Sequence, residues 1–135
     1  MDAASLEAAF RRAFGVFWGK GTIQEFYDFL DEQGFYTDED TPFVLDKALF
    51  REHIDFHLGQ WSMLEWIPRE PKFDVFGTTG LVSTYFTLRG KPKGSGFRLR
   101  HGVCTVACHW DGTRWRAGMV NIDALIGHIV DASPG

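Results

Sequence analysis

A chain of 135 residues with 44% apolar and 16% aromatic side chains is long enough for one folded domain with a real core, and its composition excludes a disordered segment. The net charge of −4 argues against nucleic acid as a partner, and no stretch approaches the roughly 20 apolar residues of a membrane span. The N-terminal residues lack the basic segment and apolar run of a signal peptide, and Cys104 and Cys108 are read as free thiols on one strand, so a cytoplasmic protein is expected.

Leu6, Phe10, Ala13, Phe14 and Phe17 recur at helical spacing, which predicts an amphipathic helix over 3–18. Gly19-Lys20-Gly21 stops it. Thr22 caps a second short helix in which Ile23, Phe26, Tyr27 and Leu30 share a face, and Gly34 breaks that run. Phe35-Tyr36-Thr37 and Phe43-Val44-Leu45 read as two short strands joined by an acidic turn. Asp46 caps a third helix over 47–58, which Gly59 ends. The hydrophobic period then changes from 3.6 to 2. Residues 64–76, interrupted by Pro68 and Pro71, read as a bent or edge strand, and 81–89 as an alternating strand. A flexible loop over 90–96 follows. Strands 97–110 and 114–122 meet at Asp111-Gly112, a strong hairpin signal. A short helix over 123–130 closes the chain.

This order predicts an α+β domain, a strongly curved antiparallel sheet wrapped as a cone around three N-terminal helices, with a cavity at its open end. Charge divides along the chain: residues 1–67 hold 5 Lys and Arg against 13 Asp and Glu, whereas 68–116 hold 9 against 3. An acidic helical layer on a basic sheet explains the split, and a basic sheet face meeting an anionic ligand is the alternative.

The third helix carries the most informative pattern. His53 and His57 lie one turn apart on the face that also holds Leu49, Phe50, Ile54 and Phe56. Imidazoles facing a core need hydrogen-bond partners. The helix therefore faces something polar: a pocket, a ligand, a water or a carboxylate.

The organisation resembles the nuclear transport factor 2-like superfamily, which includes ketosteroid isomerase and the SnoaL-like polyketide cyclases. The helical segment Ile23-Gln24-Glu25-Phe26-Tyr27-Asp28-Phe29-Leu30, the Phe50-Arg51-Glu52-His53-Ile54 helix and the ending Trp110-Asp111-Gly112-Thr113-Arg114-Trp115-Arg116 carry the likeness. The resemblance implies a cone-shaped fold, an internal cavity and a homodimer formed through the sheet. It does not imply one activity, because this fold hosts many.

With a two-residue turn at Asp111-Gly112, Trp110 pairs with Thr113, Cys108 with Trp115, Cys104 with Met119 and Gly102 with Asn121. Trp115, Ala117, Met119 and Asn121 then share the cavity face with Arg100, Cys104, Val106 and Cys108. His101, Thr105 and His109 take the other face. A three-residue turn would reverse the assignment of strand 97–110.

Isomerase chemistry of the ketosteroid kind needs a carboxylate base, a tyrosine donor and a protonated aspartate donor. The resemblance places the base at Asp38, with Asp40 close behind. Phe14 or Phe17 stands where the tyrosine belongs and Cys104 where the aspartate belongs, so steroid isomerisation is not expected. The remaining constellation is His53, His57, Asp38 or Asp40, Arg100 and Asn121. An imidazole beside a carboxylate suits general acid/base catalysis, and Arg100 suits an anionic or enolate oxygen. Tyr27, Trp61, Cys104, Trp115 and Met119 complete the expected ligand-binding set. The expected ligand is a small apolar or carbonyl-containing molecule, handled without cofactor by isomerase, cyclase or dehydratase chemistry. A non-catalytic binding or accessory protein with the same cavity is the competing reading.

Structural explanations compete at each position. His53 and His57 equally suit bonds to backbone or the acidic turn that fix the helix; Asp38 and Asp40 suit turn formation before Pro42. His-x-x-x-His supplies two metal-ligand positions, but it lacks the zinc-protease glutamate, and a third ligand would have to come from Asp38, Asp40 or Cys104. No metal is therefore expected.

Overall fold

The computed structural model describes residues 1–39, 41 and 43–124. Helix α1 runs from Ala3 to Phe14. Asp2 caps it, accepting from the Ser5 N–H at 2.8 Å, and Leu6, Phe10, Ala13 and Phe14 are its buried face. The expected helix over 3–18 tightens to a 3-10 turn at Gly15–Trp18, and Gly19 ends it at φ 84°. Helix α2, Ile23–Phe29, begins at the Thr22 cap.

Strand β1, Leu30–Thr37, starts directly where α2 stops. Gly34 therefore lies inside a strand and does not end the helix. The expected hairpin partner at 43–45 reduces to a single bridge, Tyr36 with Leu45, and Phe43 and Val44 are exposed. Helix α3, Lys47–Gln60, is capped by Asp46, which accepts from the Leu49 N–H at 2.9 Å. Strands β2 (Trp61–Phe76), β3 (Thr79–Pro92), β4 (Arg98–Trp110) and β5 (Trp115–Ala124) follow. Asp123 and Ala124 belong to β5, and the rest of the helix expected over 123–130 lies outside the described residues.

The sheet order is β1-β5-β4-β3-β2. Strand β1 runs parallel to β5, with Tyr36 opposite Val120, and the other pairs are antiparallel. The sheet is thus mixed and curved, not all antiparallel. β2 is an edge strand, as its prolines require, with an irregularity between Arg69 and Lys72 and a left-handed Glu70 at φ 51°. Among the described residues no helix is long and apolar enough to cross a membrane.

The β4–β5 register departs from expectation at two points. The Asp111 carboxylate accepts from the Thr113 and Arg114 N–H groups at 2.8 and 2.9 Å. That closes a four-residue loop, so Trp110 pairs with Trp115 and Cys108 with Ala117. A slip of two residues leaves each side chain on its face. A bulge at Gly118 then shifts the ladder, so Ala107 pairs with Met119 and Cys104 with Ile122. An extra residue reverses every face beyond it. Val120 is fully buried, whereas Met119 and Asn121 share the outer face with Ala107 and Thr105, not the cavity face expected for them.

Candidate functional site

A cavity of about 290 Å³ opens between α1, α2, α3 and the inner sheet face. This is near the lower end for small-molecule sites. Phe14, Phe17, Phe26, Trp61, Trp66 and Leu88 form its apolar walls, with Ile54, Leu58, Leu64 and Ile122 between them. Asp38, Glu39, His57 and Arg100 gather its polar groups.

Asp38 follows β1, where its backbone N–H donates to Thr41 Oγ1 at 3.1 Å and its carbonyl accepts from Thr41 Oγ1 at 3.0 Å. This local turn aims the carboxylate at α3. His53 Nε2–H donates to Asp38 Oδ2 at 2.5 Å, and both side chains are largely buried. A charge-assisted bond of this kind is stronger than a neutral one. The imidazole is also fixed by rings: Tyr36 stacks on Phe50 at 5.1 Å, and Phe50 lies nearly parallel to His53 at 6.3 Å. His57 meets His53 edge to face at 4.4 Å between ring centres and reaches the cavity wall.

Helix α3 is rotated relative to its expected apolar stripe. Phe50 is fully buried, while Leu49 and Phe56 are exposed. They border an outer groove together with His53, Phe43 and Leu45. His53 therefore stands between this groove and the Asp38 side of the inner cavity.

Of the other expected site residues, Trp61 lines the cavity. Arg100 reaches it too, but its Nη1 donates to Glu39 Oε1 at 2.7 Å. The guanidinium is thus matched to a carboxylate that the sequence reading did not single out. Tyr27 is buried away from the cavity. Its hydroxyl donates to Asp55 and, at 3.3 Å, to the Arg51 carbonyl, and Arg51 covers its ring at 4.7 Å. Burial and the Asp55 carboxylate raise the Tyr27 phenol above its ordinary value. Trp115 is buried with its Nε1–H donating to Ser5 Oγ at 3.0 Å; it borders a separate groove with Arg12 and Asp28. Cys104 is fully buried in the core. Burial raises its thiol and pushes Cys108 up to about 12, which makes both poor nucleophiles. Asn121 on the outer face accepts from Thr37 Oγ1 at 2.6 Å and donates to Asp123 at 2.9 Å. Asp40 lies outside the described residues. Among the described residues no three His, Cys, Asp or Glu side chains group to hold a metal ion.

Trp66 is the residue the sequence reading undervalued. Its ring lines the cavity and is 6% exposed, yet its Nε1–H has no hydrogen-bond partner among the described residues. An unpaired buried donor costs about 1–3 kcal/mol. Periodicity places Trp66 on β2 but says nothing of whether an acceptor meets its indole.

No family model and no curated protein matches the chain. Solved structures do. One, from Novosphingobium aromaticivorans, is described as a candidate aromatic ring hydroxylase; it is 16% identical, with a TM-score of 0.77 over 92% of this chain and 89% of that one. A second, from Streptomyces avermitilis, is described as a candidate dehydratase of the nuclear transport factor 2-like family; it is 12% identical, with a TM-score of 0.75 over 90% and 94%. A third, a nuclear transport factor 2-like protein with a cystatin-like fold from N. aromaticivorans, is 17% identical, with a TM-score of 0.62 over 75% and 68%. At such identities the likeness is one of fold.

Proposed function

We propose that this chain, which has the nuclear transport factor 2-like fold, binds a small apolar carbonyl compound in its inner cavity and acts on it by cofactor-free acid/base chemistry. One observation carries the reading. The Asp38 carboxylate, bonded by His53 at 2.5 Å, and the His57 imidazole both stand on the wall of a mostly apolar cavity. A carboxylate in that position suits removal of a proton from carbon next to a carbonyl. His53 holds the carboxylate in place, and His57 is the second proton-transfer group. Carbonyl-activated isomerisations, cyclisations and dehydrations begin with such a step, and the description of the Streptomyces neighbour as a candidate dehydratase agrees with that class.

The test needs no knowledge of the natural substrate. 1-Indanone in heavy water exchanges the protons next to its carbonyl, and NMR follows the rate. The protein is expected to accelerate exchange above buffer, and Asp38→Asn to lower that acceleration about 10²–10⁴-fold while 1-indanone still binds. Binding without acceleration would overturn the enzymatic reading in favour of a non-catalytic ligand carrier.

We further propose a homodimer through the outer sheet face. Leu81, Tyr85 and Leu99 are 40%, 54% and 65% exposed there. They stand on neighbouring strands, with Tyr85 opposite Val103 and Leu99 opposite Arg89. Three large apolar side chains exposed on one sheet face support an interaction surface.

A further inference from the structure

We propose that Arg100, held by Glu39 next to Asp38, carries the negative charge that forms on the ligand's carbonyl oxygen when Asp38 takes its proton. The inference rests on the acid/base reading above and adds to it a catalytic residue, Arg100, and a positioning residue, Glu39.

The reaction itself asks for a cation. When Asp38 removes a proton from the carbon next to a carbonyl, the C–H bond breaks and the proton goes to the carboxylate. The electron pair of that bond moves to the carbonyl oxygen, which becomes an enolate. The cavity wall is mostly apolar, and a charge left unpaired in such surroundings is costly. A donor fixed in place before the charge forms lowers the barrier most, because nothing has to reorganise at that moment.

Arg100 meets these terms. It lies on β4 opposite Leu88 of β3, and both line the cavity. Among the described residues it is the one lysine or arginine on that wall, and positions 40, 42 and 125–135 hold neither type. Its Nη1 donates to Glu39 Oε1 at 2.7 Å. A guanidinium has five N–H donors, so this bond leaves others for a ligand. The side chain is 35% exposed. The buried side-chain nitrogens without a partner among the described residues belong to Trp66 and Arg116, not to Arg100, so the free N–H groups of Arg100 stay in reach.

Glu39 accounts for where the guanidinium stands. Strand β5 separates β1 from β4 in the sheet, so the pair spans a whole strand. Glu39 follows Asp38 directly in the turn after β1, and both reach the cavity wall. One short segment thus carries the base and the group that holds the cation. An ion pair this open adds little to stability. What it fixes is the direction of the guanidinium.

Exchange of 1-indanone in heavy water tests both residues. Arg100→Met is expected to lower kcat about 10²-fold. It should weaken 1-indanone by less than about threefold, since the ground state carries no such charge. Glu39→Ala is expected to lower kcat about tenfold with KM little changed. Glu39→Gln, which keeps an acceptor for the guanidinium, should recover most of that loss. A second measurement reads the charge without turnover. Its probe is 1-naphthol, whose naphtholate carries an oxyanion on a flat bicyclic frame, as the enolate does. It is given to the Asp38→Asn protein, in which a neutral amide stands for the acid that Asp38 becomes once it holds the proton. By absorbance, bound 1-naphthol is expected to ionise about one pH unit or more below free 1-naphthol. Adding Arg100→Met should remove that displacement. Exchange as fast in Arg100→Met as in wild type, or 1-naphthol that ionises alike with and without Arg100, would overturn the inference and leave the acid/base reading standing. Equal losses in Glu39→Ala and Glu39→Gln would remove the positioning role of Glu39. A wild-type protein that does not accelerate exchange would overturn both readings together. If Arg100→Met does not fold, 1-naphthol bound to Asp38→Asn decides alone, and ionisation as in buffer would sink the inference.

Discussion

Gly34 and Tyr36 are coupled by space: a Cβ on Gly34 would overlap the Tyr36 hydroxyl and come within 2.9 Å of the Gly118 carbonyl. The glycine leaves room for the hydroxyl to donate to the Ala117 carbonyl at 2.9 Å, across the parallel β1–β5 pairing. The same phenol ring stacks on Phe50, which in turn orients His53. Packing at the sheet edge thus reaches the candidate site in three steps.

Gly34→Ala should therefore destabilise by about 1–3 kcal/mol through overpacking, read from denaturant melts. Tyr36→Phe removes the hydroxyl the new methyl would strike. The double variant should lose less stability than the sum of the singles. Strict additivity would assign the clash to the Tyr36 ring carbon and the Gly118 carbonyl, 2.5 and 2.9 Å from that Cβ, and not to the hydroxyl.

The outer sheet face makes its own prediction. Leu99→Asp should shift the protein from dimer to monomer by light scattering at tens of micromolar, with the thermal midpoint of the monomer little changed. The residue is 65% exposed in the single chain, so a charge there strands nothing inside the protomer. A wild-type protein that scatters as a monomer would remove the dimer proposal.

The Asp31 carboxyl is held below its ordinary value, first by the Gln33 N–H and then by His109 and the Arg116 charge. The distances are 2.9 Å to Gln33 N and 2.6 Å to His109 Nε2. A carboxylate whose value is lowered by folding contributes stability above its unfolded value and loses it as pH falls through the folded one. Asp31→Asn should thus be less stable than wild type at pH 7, by under about 1 kcal/mol for so exposed a pair. The gap should close as pH falls below about 4. A gap that stays constant between pH 7 and pH 2 would assign the loss to packing.

The helix starts were written locally. Thr22 and Asp46 each cap the helix expected of them, because a cap is made within a few residues of its own chain; the Asp2 cap of α1 was not singled out. The α+β class followed from the change of hydrophobic period at the end of α3. The likeness of Ile23–Leu30, Phe50–Ile54 and Trp110–Arg116 to one family agreed with the fold. His53 and His57 were legible as imidazoles that face something polar, with Asp38 or Asp40 as the carboxylate the resemblance offered, and Trp61 as an aromatic beside the cavity.

Everything that depended on which strand or ring came alongside was decided by tertiary structure. Met119 and Asn121 turned outward because one extra residue at Gly118 reverses a strand's faces, and no alternation pattern marks a bulge reliably. Strand β1 took a parallel place beside β5, a choice made between segments some eighty residues apart. Arg100 was matched by Glu39, and the Trp66 donor met no acceptor among the described residues. Both outcomes depend on the positions of atoms contributed by distant segments. Local sequence sets backbone preference and amphipathic pattern within a turn or two, whereas the pairing of a buried polar atom depends on whatever the completed fold brings within about 3 Å of it.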